Sequence, residues 1–211
     1  MTALAIPSSI PATLAPSLLR ITADQYHAMI DDGIIPDGAP YELLDGFIVH
    51  KDRARLGGNP VSHDPIHVLA VKLLTRLAAR LDNQSCHMQL QLPIALSPLY
   101  EPEPDAAIIR GTPDDYRTRL ATPADVSCVI EAAHSSLARD QETKLAAYAA
   151  AGIPQYIILN LQSNFVQIHT HPDPAAAAYR TQTSATPGQS LALQLPNDQH
   201  LSVLVSDILP R

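Results

Sequence analysis

The chain has 211 residues, of which 46% are hydrophobic, so it can bury one sizeable core but is too short for two comfortable ones. Its formal net charge of −7 argues against a constitutive nucleic-acid binder, because such proteins usually carry a basic surplus. The basic residues nevertheless concentrate in the middle, with eleven of the fourteen Lys and Arg residues between positions 51 and 144. We expect a single domain over residues 20–211.

Cysteine content and hydropathy indicate the cellular compartment. The two cysteines, Cys86 and Cys128, lie far apart, and no charged leader with an apolar stretch opens the chain, so neither a disulfide framework nor secretion is expected. No apolar run approaches the roughly 20 residues of a membrane-spanning helix. The sequence therefore favours a soluble, reduced, cytoplasmic protein.

The N-terminal part begins with a segment that lacks a secondary-structure pattern. Residues 1–19 are rich in Pro, Ala and Ser without helical or strand period, which predicts a mobile N-terminal arm. Thr22 and Gln25 then form a capping-box pattern before a short amphipathic helix. Next, Asp45 and Gly46 separate two apolar runs, which is typical of a two-residue β-hairpin turn.

A long helix is predicted to begin with Asp64 as N-cap and Pro65 at the first helical position. Its apolar residues recur at helical spacing, at Ile66, Leu69, Leu73, Leu77 and Leu81, with Ala70 and Leu74 beside them. On the same helix Lys72, Arg76 and Arg80 recur every four residues and form a basic stripe. Such a stripe is usually a solvated face, but it is also a candidate track for backbone phosphates.

The second half of the chain alternates strands with one helix. Apolar stretches flanked by Pro, Asp or Gly predict strands at 87–96, 104–110 and 126–132. An Ala-rich helix is expected from Arg139 to Ala150, then a strand pair formed by "PQYIILN" and "FVQIHT", and further short strands in the tail. This order of elements predicts a mixed α/β domain with a sheet flanked by helices.

Three ionisable residues stand at the ends of these elements. Asp105 opens one strand, Glu131 closes the next, and Lys144 lies on the following helix. Because an unpaired carboxylate beside a buried strand is costly, Glu131 is expected to have a cationic partner or a metal, unless it only faces solvent at a strand end. Two carboxylates at adjacent strand ends are enough for one Mg²⁺, which also takes water and substrate phosphate as ligands.

The role of Lys144 has two interpretations. A lysine beside such a site could orient or help deprotonate the attacking water and offset charge that develops on the phosphate. Asp140, Lys144 and Tyr148 share one helix face, so Asp140 could hold the ammonium toward the site. The alternative is a surface Asp–Lys pair with Tyr148 in the core, and spacing alone does not decide between them.

A series of short segments carries a family resemblance. The segments are "YELLDGFIV", His63 before the long helix, "EPEPDAAII" and "VIEAAHSSLARDQETKLAAYAAAGIPQYIILN". In this order, from about Ile21 to Leu209, they resemble the Uma2 family of the PD-(D/E)xK nuclease superfamily. The resemblance implies a restriction-endonuclease-like mixed β-sheet flanked by α-helices, with additional β-hairpins, and a nuclease that acts on DNA with Mg²⁺, or with Mn²⁺ as a substitute.

The resemblance also implies roles for the matching positions. Asp105 matches the Asp of the PD motif and Glu131 the acid of the (D/E)xK motif, and both are implied to be Mg²⁺ ligands. The lysine expected two residues after Glu131 is replaced by Ala133, and Lys144 is interpreted as that lysine moved to the neighbouring helix. The chain also departs from the family in having Ala132 after the Glu and no Trp.

Three further positions have open roles. Glu42 matches the acid of the family's "YEL…G" motif, and it either lies near the metal or only pairs with an Arg. His63 either meets a phosphate or caps the long helix. His134 either contacts a phosphate or faces solvent in a loop.

Other chemistries have weaker support. The sequence has no Gly-x-Ser-x-Gly elbow, no Gly-rich phosphate loop and no His-Glu-x-x-His pattern. A zinc site from His169, His171 and either Cys86 or His87 has suitable ligand types but no recognised spacing.

The sequence therefore favours a Mg²⁺-dependent endonuclease for DNA. The candidate catalytic residues are Asp105, Glu131, Lys144 and Glu42, with Asp140 and Tyr148 supporting them and His63, Lys72, Arg76 and Arg80 contacting substrate. The alternative is a non-catalytic nucleic-acid-binding or protein-interaction module with the same fold. Because cleaving both strands of a duplex usually needs two active sites, we expect a homodimer, with the apolar C-terminal strands as its contact surface.

Overall fold

The structure is a computed structural model and describes residues 18–51, 64–81 and 85–210. Its α-helices are α1 (Ala23–Asp31), α2 (Pro65–Ala78), α3 (Leu137–Arg139) and α4 (Leu145–Ala150), and a π-helical segment, Asp140–Lys144, joins the last two. Short 3₁₀ turns lie at Ala79–Leu81, Pro113–Tyr116, Pro123–Asp125, Pro196–Asp198 and Val205–Asp207. Most of the predicted arm lies outside the described residues, and His63 lies outside them as well.

Ten strands form one large sheet and two hairpins in the described ranges. The strands are β1 (Tyr41–Leu44), β2 (Phe47–His50), β3 (Cys86–Gln89), β4 (Ala106–Arg110), β5 (Val126–Ala133), β6 (Gln155–Asn160), β7 (Phe165–Asp173), β8 (Ala178–Ala185), β9 (Ser190–Gln194) and β10 (His200–Leu204). The sheet has the order β3-β4-β5-β6-β7-β8, and β1-β2 and β9-β10 pair separately. The predicted mixed α/β architecture is confirmed.

Only one neighbouring pair in the large sheet is parallel. β5 and β6 run parallel, whereas every other neighbouring pair of this sheet is antiparallel. A parallel pair needs a crossover rather than a tight turn, and α3, the π-helical segment and α4 provide it. Lys144 lies on this crossover, at the last residue of the π-helical segment.

The local signals near the N-terminus are confirmed. The Thr22 hydroxyl accepts from the Gln25 amide at 3.3 Å, and the Gln25 side chain accepts from the Thr22 amide at 2.9 Å. Asp45 and Gly46 have φ of 53° and 75°, the positive values that the hairpin turn requires. A Cβ on Gly46 would lie 2.6 Å from the Arg20 Cβ, so glycine is needed here for space as well.

The long helix forms as predicted, but its buried stripe is rotated. Asp64 caps α2 by accepting from the Ile66 amide at 3.1 Å. The side chains buried against the sheet are those of Ala70, Leu74 and Leu77, whereas Leu69 is 43% exposed. The helical period was therefore predicted correctly, but the buried face is centred on Ala70 and Leu74 rather than on Leu69 and Leu73.

Two predicted elements differ in extent. The strand expected at 87–96 ends at Gln89, because Gln91 has a φ of 51° and Pro93 has no amide to donate to a ladder. The helix expected from Arg139 begins at Leu137 and widens into the π-helical segment before α4. Single-turn π-helical insertions of this kind are frequent at functional sites.

Both faces of the large sheet are covered. On one face, Ile130 of β5 packs in a cluster with Leu74 of α2 and Leu193 of β9. On the other, Ile158 of β6 packs with Tyr148 of α4. Each such fully buried apolar side chain contributes about 1.5–3 kcal/mol relative to an exposed one.

The C-terminal strands belong to this core. Their apolar side chains Leu191, Leu193, Val203 and Val205 are buried within the chain itself. They therefore do not form the exposed apolar surface that was predicted for a dimer contact. None of the helices in the described ranges is long and apolar enough to cross a membrane.

Candidate active site

The site lies where the pairing of β4 with β5 ends. The last paired residues are Ala106 and Ile130, and one further step of the antiparallel register brings Asp105 opposite Glu131, on the same face of the sheet. The Asp105 Oδ2 accepts a hydrogen bond from the Ala132 amide at 2.8 Å. Asp105 and Glu131 therefore lie at adjacent strand ends, and their shared contact with one cation stays a prediction.

Glu131 is buried and has two hydrogen-bond donors. Its Oε1 accepts from the Lys144 Nζ at 2.9 Å and from the Tyr148 hydroxyl at 3.1 Å, while only 1% of the residue is exposed. Burial raises the pKa of Glu131 to about 8, because the attraction of Lys144 offsets only part of the desolvation and the surrounding carboxylates add repulsion. Glu131 is not a carboxylate that faces solvent at a strand end.

Lys144 bridges two carboxylates. Besides Glu131, its Nζ contacts the Glu42 Oε2 at 3.1 Å, and only 2% of the lysine is exposed. Burial alone lowers the pKa of Lys144, but the neighbouring carboxylates, led by Glu131 and Glu42, outweigh burial and hold the pKa above its ordinary value. The side chain is therefore a permanent ammonium, and the interpretation of an exposed Asp–Lys pair does not apply.

Glu42 reaches the site because the β1-β2 hairpin docks on residues before β4. The Glu101 amide donates to the Leu43 carbonyl at 2.8 Å, and the Leu43 amide donates back at 3.3 Å. Glu42 then accepts from the Glu103 amide at 3.1 Å and has the Arg139 guanidinium 3.7 Å away. Glu42 therefore pairs with an Arg and also contacts Lys144, while its place near a metal stays a prediction.

Asp140 and Tyr148 surround the bridge from the crossover. Asp140 is fully buried, and its carboxylate accepts a hydrogen bond from the Ser136 hydroxyl. Its backbone carbonyl accepts from the Tyr156 hydroxyl at 3.0 Å. Lys144 forms its ion pairs with Glu42 and Glu131. The expected stabilisation of the ammonium by Asp140 is an electrostatic attraction that raises the pKa of Lys144.

His67 is a site residue that the sequence interpretation missed. Its Nε2 lies 3.4 Å from the Asp105 Oδ1, and its Nδ1 lies 3.0 Å from the Ala132 carbonyl. Burial alone raises the pKa of Asp105, but the contact with His67 and the Ala132 amide outweigh it and hold the pKa below its usual value. The signal was present: His67 stands three and seven residues before Ala70 and Leu74, on the buried face of α2.

The predicted basic stripe runs from Lys72 on α2 to Arg80 in the 3₁₀ turn that follows this helix. Lys72, Arg76 and Arg80 are exposed, and Arg80 is thirteen residues beyond His67, which corresponds to roughly 20 Å along a helix. Arg80 donates to the Ser202 carbonyl at 2.8 Å and lies 3.4 Å from Asp207. One of the three basic side chains is therefore already engaged within the chain.

The structure bears on two predictions about histidines. His134 forms an ion-pair contact with Asp64, the N-cap of α2, and its side chain is 40% exposed, while its contact with a phosphate stays a prediction. The zinc set is wrong, because Cys86 and His87 lie on β3 and His169 on β7, with three strands between them. Four strand spacings amount to about 19 Å, far beyond a shared coordination sphere.

The charge balance of the site is negative. Four carboxylates, those of Glu42, Asp105, Glu131 and Asp140, interact electrostatically with one another and with Lys144. When all are ionised, Lys144 and Arg139 leave two negative charges uncompensated if His67 is neutral. A divalent cation fits this imbalance, and the carboxylate oxygens are donors that hard cations prefer.

A dedicated cage of protein ligands is not present. Within the described residues, no three or more His, Cys, Asp or Glu side chains are grouped as a metal ion would require. Mg²⁺ commonly binds through one or two carboxylates and keeps several waters, so the pair Asp105 and Glu131 could hold it without such a cage.

The fold defines the class of protein first. A crystal structure of a putative nuclease belonging to DUF820, from Anabaena variabilis, aligns with a TM-score of 0.61 over 89% of this chain and 97% of that chain. The two sequences are 13% identical, so this similarity shows the fold alone. The chain therefore has the fold of that putative nuclease.

The family follows from the sequence. The model of the Uma2 family, described as "Putative restriction endonuclease", matches residues 23–204, and the chain belongs to this family. No functionally curated protein matches the chain. Membership supports, at the level of the family, a nuclease with nucleic acid as its substrate.

Proposed function

We propose that this chain is a metal-dependent endonuclease that hydrolyses phosphodiester bonds of DNA, with Mg²⁺ as its cation and Mn²⁺ as a substitute. The observation that carries the proposal is the buried Lys144, held between Glu42 and Glu131 at the end of β5, next to Asp105. We further propose that residues 20–211 act as one domain, and that the protein works in the cytoplasm, where its buried cysteines Cys86 and Cys128 stay reduced.

Asp105 and Glu131 are the residues proposed to hold the cation. Their side chains leave adjacent strands at one end of the sheet, and the excess of carboxylates around them supplies the charge that a divalent ion needs. When bound, such an ion supplies Lewis-acid assistance and offsets charge on the phosphate. The low pKa of Asp105 keeps this carboxylate ionised and ready to bind.

Lys144 is proposed to act electrostatically. Its raised pKa means that it stays protonated, so it offsets negative charge that develops on the phosphate rather than accepting a proton from water. Glu42 fixes its position from β1, and Tyr148 fixes that of Glu131 from α4. Asp140 supports the ammonium by its charge from the π-helical segment.

DNA contacts are proposed along α2. Lys72 and Arg76 are exposed and are suited to backbone phosphates, whereas Arg80 contributes less because its guanidinium already donates to Ser202. His63, which lies outside the described residues, is also proposed to contact substrate. A homodimer remains proposed because two active sites would serve the two strands of a duplex.

The test is cleavage by the purified full chain. Supercoiled plasmid, linear duplex and RNA are incubated with Mg²⁺, Mn²⁺ or EDTA, and the expected result is cleavage of DNA that requires the cation. Asp105→Asn should abolish it, while Asp173→Asn, at an exposed ion pair with Arg180, should leave it unchanged.

The alternative function is a non-catalytic binding module with the same fold. It is favoured by the net charge of −7 and by the complete pairing of Lys144 with carboxylates. A folded chain that cleaves neither DNA nor RNA with any of these cations would replace the nuclease proposal with this module.

A further inference from the structure

The peptide groups of Ala132 hold two side chains of the candidate site. Pairing between β4 and β5 stops at Ala106 and Ile130, so the backbone of β5 continues past the end of its neighbour. Beyond that point the Ala132 amide donates to the Asp105 Oδ2 at 2.8 Å. The Ala132 carbonyl lies 3.0 Å from the His67 Nδ1. One residue therefore orients a carboxylate from the β4 side and an imidazole from α2.

The carbonyl contact sets which ring nitrogen carries the proton. A backbone carbonyl only accepts hydrogen bonds, so the Nδ1 of His67 must be the donor. In the neutral ring the Nε2 is then the nitrogen with the lone pair. Histidines that bind metals commonly have this arrangement, with the second nitrogen donating to a carbonyl or carboxylate that fixes the ring.

The other side of the ring faces a carboxylate. The Nε2 of His67 lies 3.4 Å from the Asp105 Oδ1, which is longer than an ordinary N–H···O hydrogen bond. Two neighbouring ligand atoms that are each about 2.1 Å from an octahedral ion subtend about 90° and lie about 3.0 Å apart. A shift of about 0.4 Å in either side chain therefore brings the two atoms to the spacing of neighbouring ligands of a single cation.

We propose that His67 and Asp105 together bind the cation, with water and substrate phosphate as the remaining ligands, and that the site accordingly prefers a first-row transition metal such as Mn²⁺ to Mg²⁺. The inference rests on the proposed metal site and modifies it in two respects: His67 replaces Glu131, whose Oε1 already accepts from Lys144 and Tyr148, as the second ligand, and Mn²⁺ takes the first place. Imidazole suits transition metals, whereas Mg²⁺ selects oxygen ligands and retains its waters.

The competing explanation for the same contacts is an imidazolium ion paired with Asp105. In that case both ring nitrogens donate and His67 only positions the carboxylate. The two explanations differ in whether the ring binds the metal, which spectroscopy and metal preference measure directly.

The experiment compares cation binding to the full chain with binding to its single-residue variants. Calorimetry measures the affinities for Mn²⁺ and Mg²⁺ separately, and pulsed electron paramagnetic resonance of the Mn²⁺ complex detects a directly bound nitrogen. His67→Ala should lower the Mn²⁺ affinity about tenfold or more with a smaller effect on Mg²⁺, and the nitrogen signal should vanish. His87→Ala is the matched control, because the His87 Nδ1 also lies 3.0 Å from a carbonyl, that of Gly111, at the far strand β3.

The outcomes separate this inference from the proposed function. If the wild type binds Mn²⁺ without a nitrogen signal, or if its ratio of Mn²⁺ to Mg²⁺ affinity is unchanged in His67→Ala, the inference is overturned and the proposed nuclease stands. If Asp105→Asn binds both cations as tightly as the wild type, or the wild type binds neither, the proposed metal site itself fails. Should His67→Ala not fold, the nitrogen signal of the wild type and the binding ratio of His67→Gln decide.

Discussion

Two regions of this protein contain ion pairs in opposite environments. At the outer edge of the sheet, Arg180 and Asp173 pair at 3.1 Å with the Arg side chain 70% exposed. At the end of β5, Lys144 pairs with Glu131 at 2.9 Å, and almost nothing of either side chain is exposed. Water screens the first pair, which therefore contributes little to stability. Formation of the second pair requires the desolvation of both charged groups, and the carboxylates around it outnumber the cations. Ion pairs with similar N···O distances can therefore differ greatly in their effect on stability.

The largest expected effect on stability comes from breaking the buried bridge. Lys144→Met leaves Glu42 and Glu131 without their shared cation, so we expect a loss of about 3–5 kcal/mol in the free energy of unfolding. Arg180→Ala, in the exposed pair, should give no measurable change. Urea denaturation at pH 8 checks both variants. Equal losses in the two would contradict the distinction between the regions.

The second prediction concerns pH. The pKa of Glu131 is about 8 in the folded chain against an ordinary value of 4.5, so the folded state retains a proton that the unfolded state has lost. The stability that this proton confers is complete below pH 4.5 and declines as the pH rises through 8, by at most about 1.4 kcal/mol per pH unit.

Because other groups titrate in the same interval, the measurement is a difference. Denaturation curves of the wild type and Glu131→Gln are recorded without metal between pH 5 and pH 9. The glutamine variant should gain stability relative to the wild type with rising pH. A constant difference across the interval would show that Glu131 has an ordinary pKa.

A smaller effect is expected from single hydroxyl groups. At pH 9, where Glu131 with its pKa of about 8 is mostly ionised, Tyr148→Phe removes a donor to a charged carboxylate and should cost about 1.5–3 kcal/mol. Tyr156→Phe removes an equally buried donor to the neutral Asp140 carbonyl and should cost about 0.5–1.5 kcal/mol. Thermal unfolding of both variants tests the order, and the reverse order would mean that the charge on Glu131 does not strengthen its hydrogen bond.

The smallest effect on stability should come from the exposed basic side chains of α2. Replacing Lys72 and Arg76 by Ala should leave unfolding unchanged but weaken DNA binding. The slope of log affinity against log salt should fall by roughly 1.8, since two fewer phosphates are neutralised. Fluorescence anisotropy over a range of salt concentrations measures it. An unchanged slope would remove α2 from the DNA contact.

Local patterns in the sequence were sufficient for many elements. The Thr22 capping box, the turn at Asp45 and Gly46 and the start of α2 after Asp64 all formed as predicted. Each depends on residues within four positions of one another, so its hydrogen bonds can be inferred without the rest of the fold. The fold class followed from the order of such elements and from the family resemblance.

Features that depend on distant segments were harder to predict. The π-helical widening between Leu137 and Ala150 has no local sequence rule, and the strand after Cys86 ended early at a residue with positive φ. The C-terminal strands appeared to be an apolar surface because their burial depends on α2 and the central sheet. Periodicity measures how apolar residues repeat, and it does not identify what covers them.

The residues of the candidate site show the same distinction between local patterns and contacts with distant segments. Acids at strand ends and a lysine on the next helix suit one chemistry, so Asp105, Glu131 and Lys144 could be grouped as candidates without a structure. The contact of Glu42 with this lysine and the position of His67 beside Asp105 became evident from the folded chain alone. These contacts join residues 102 and 38 positions apart, and they exist because the β1-β2 hairpin and α2 both dock at the end of β5. Such docking is set by packing over the whole core, which no short stretch of sequence encodes.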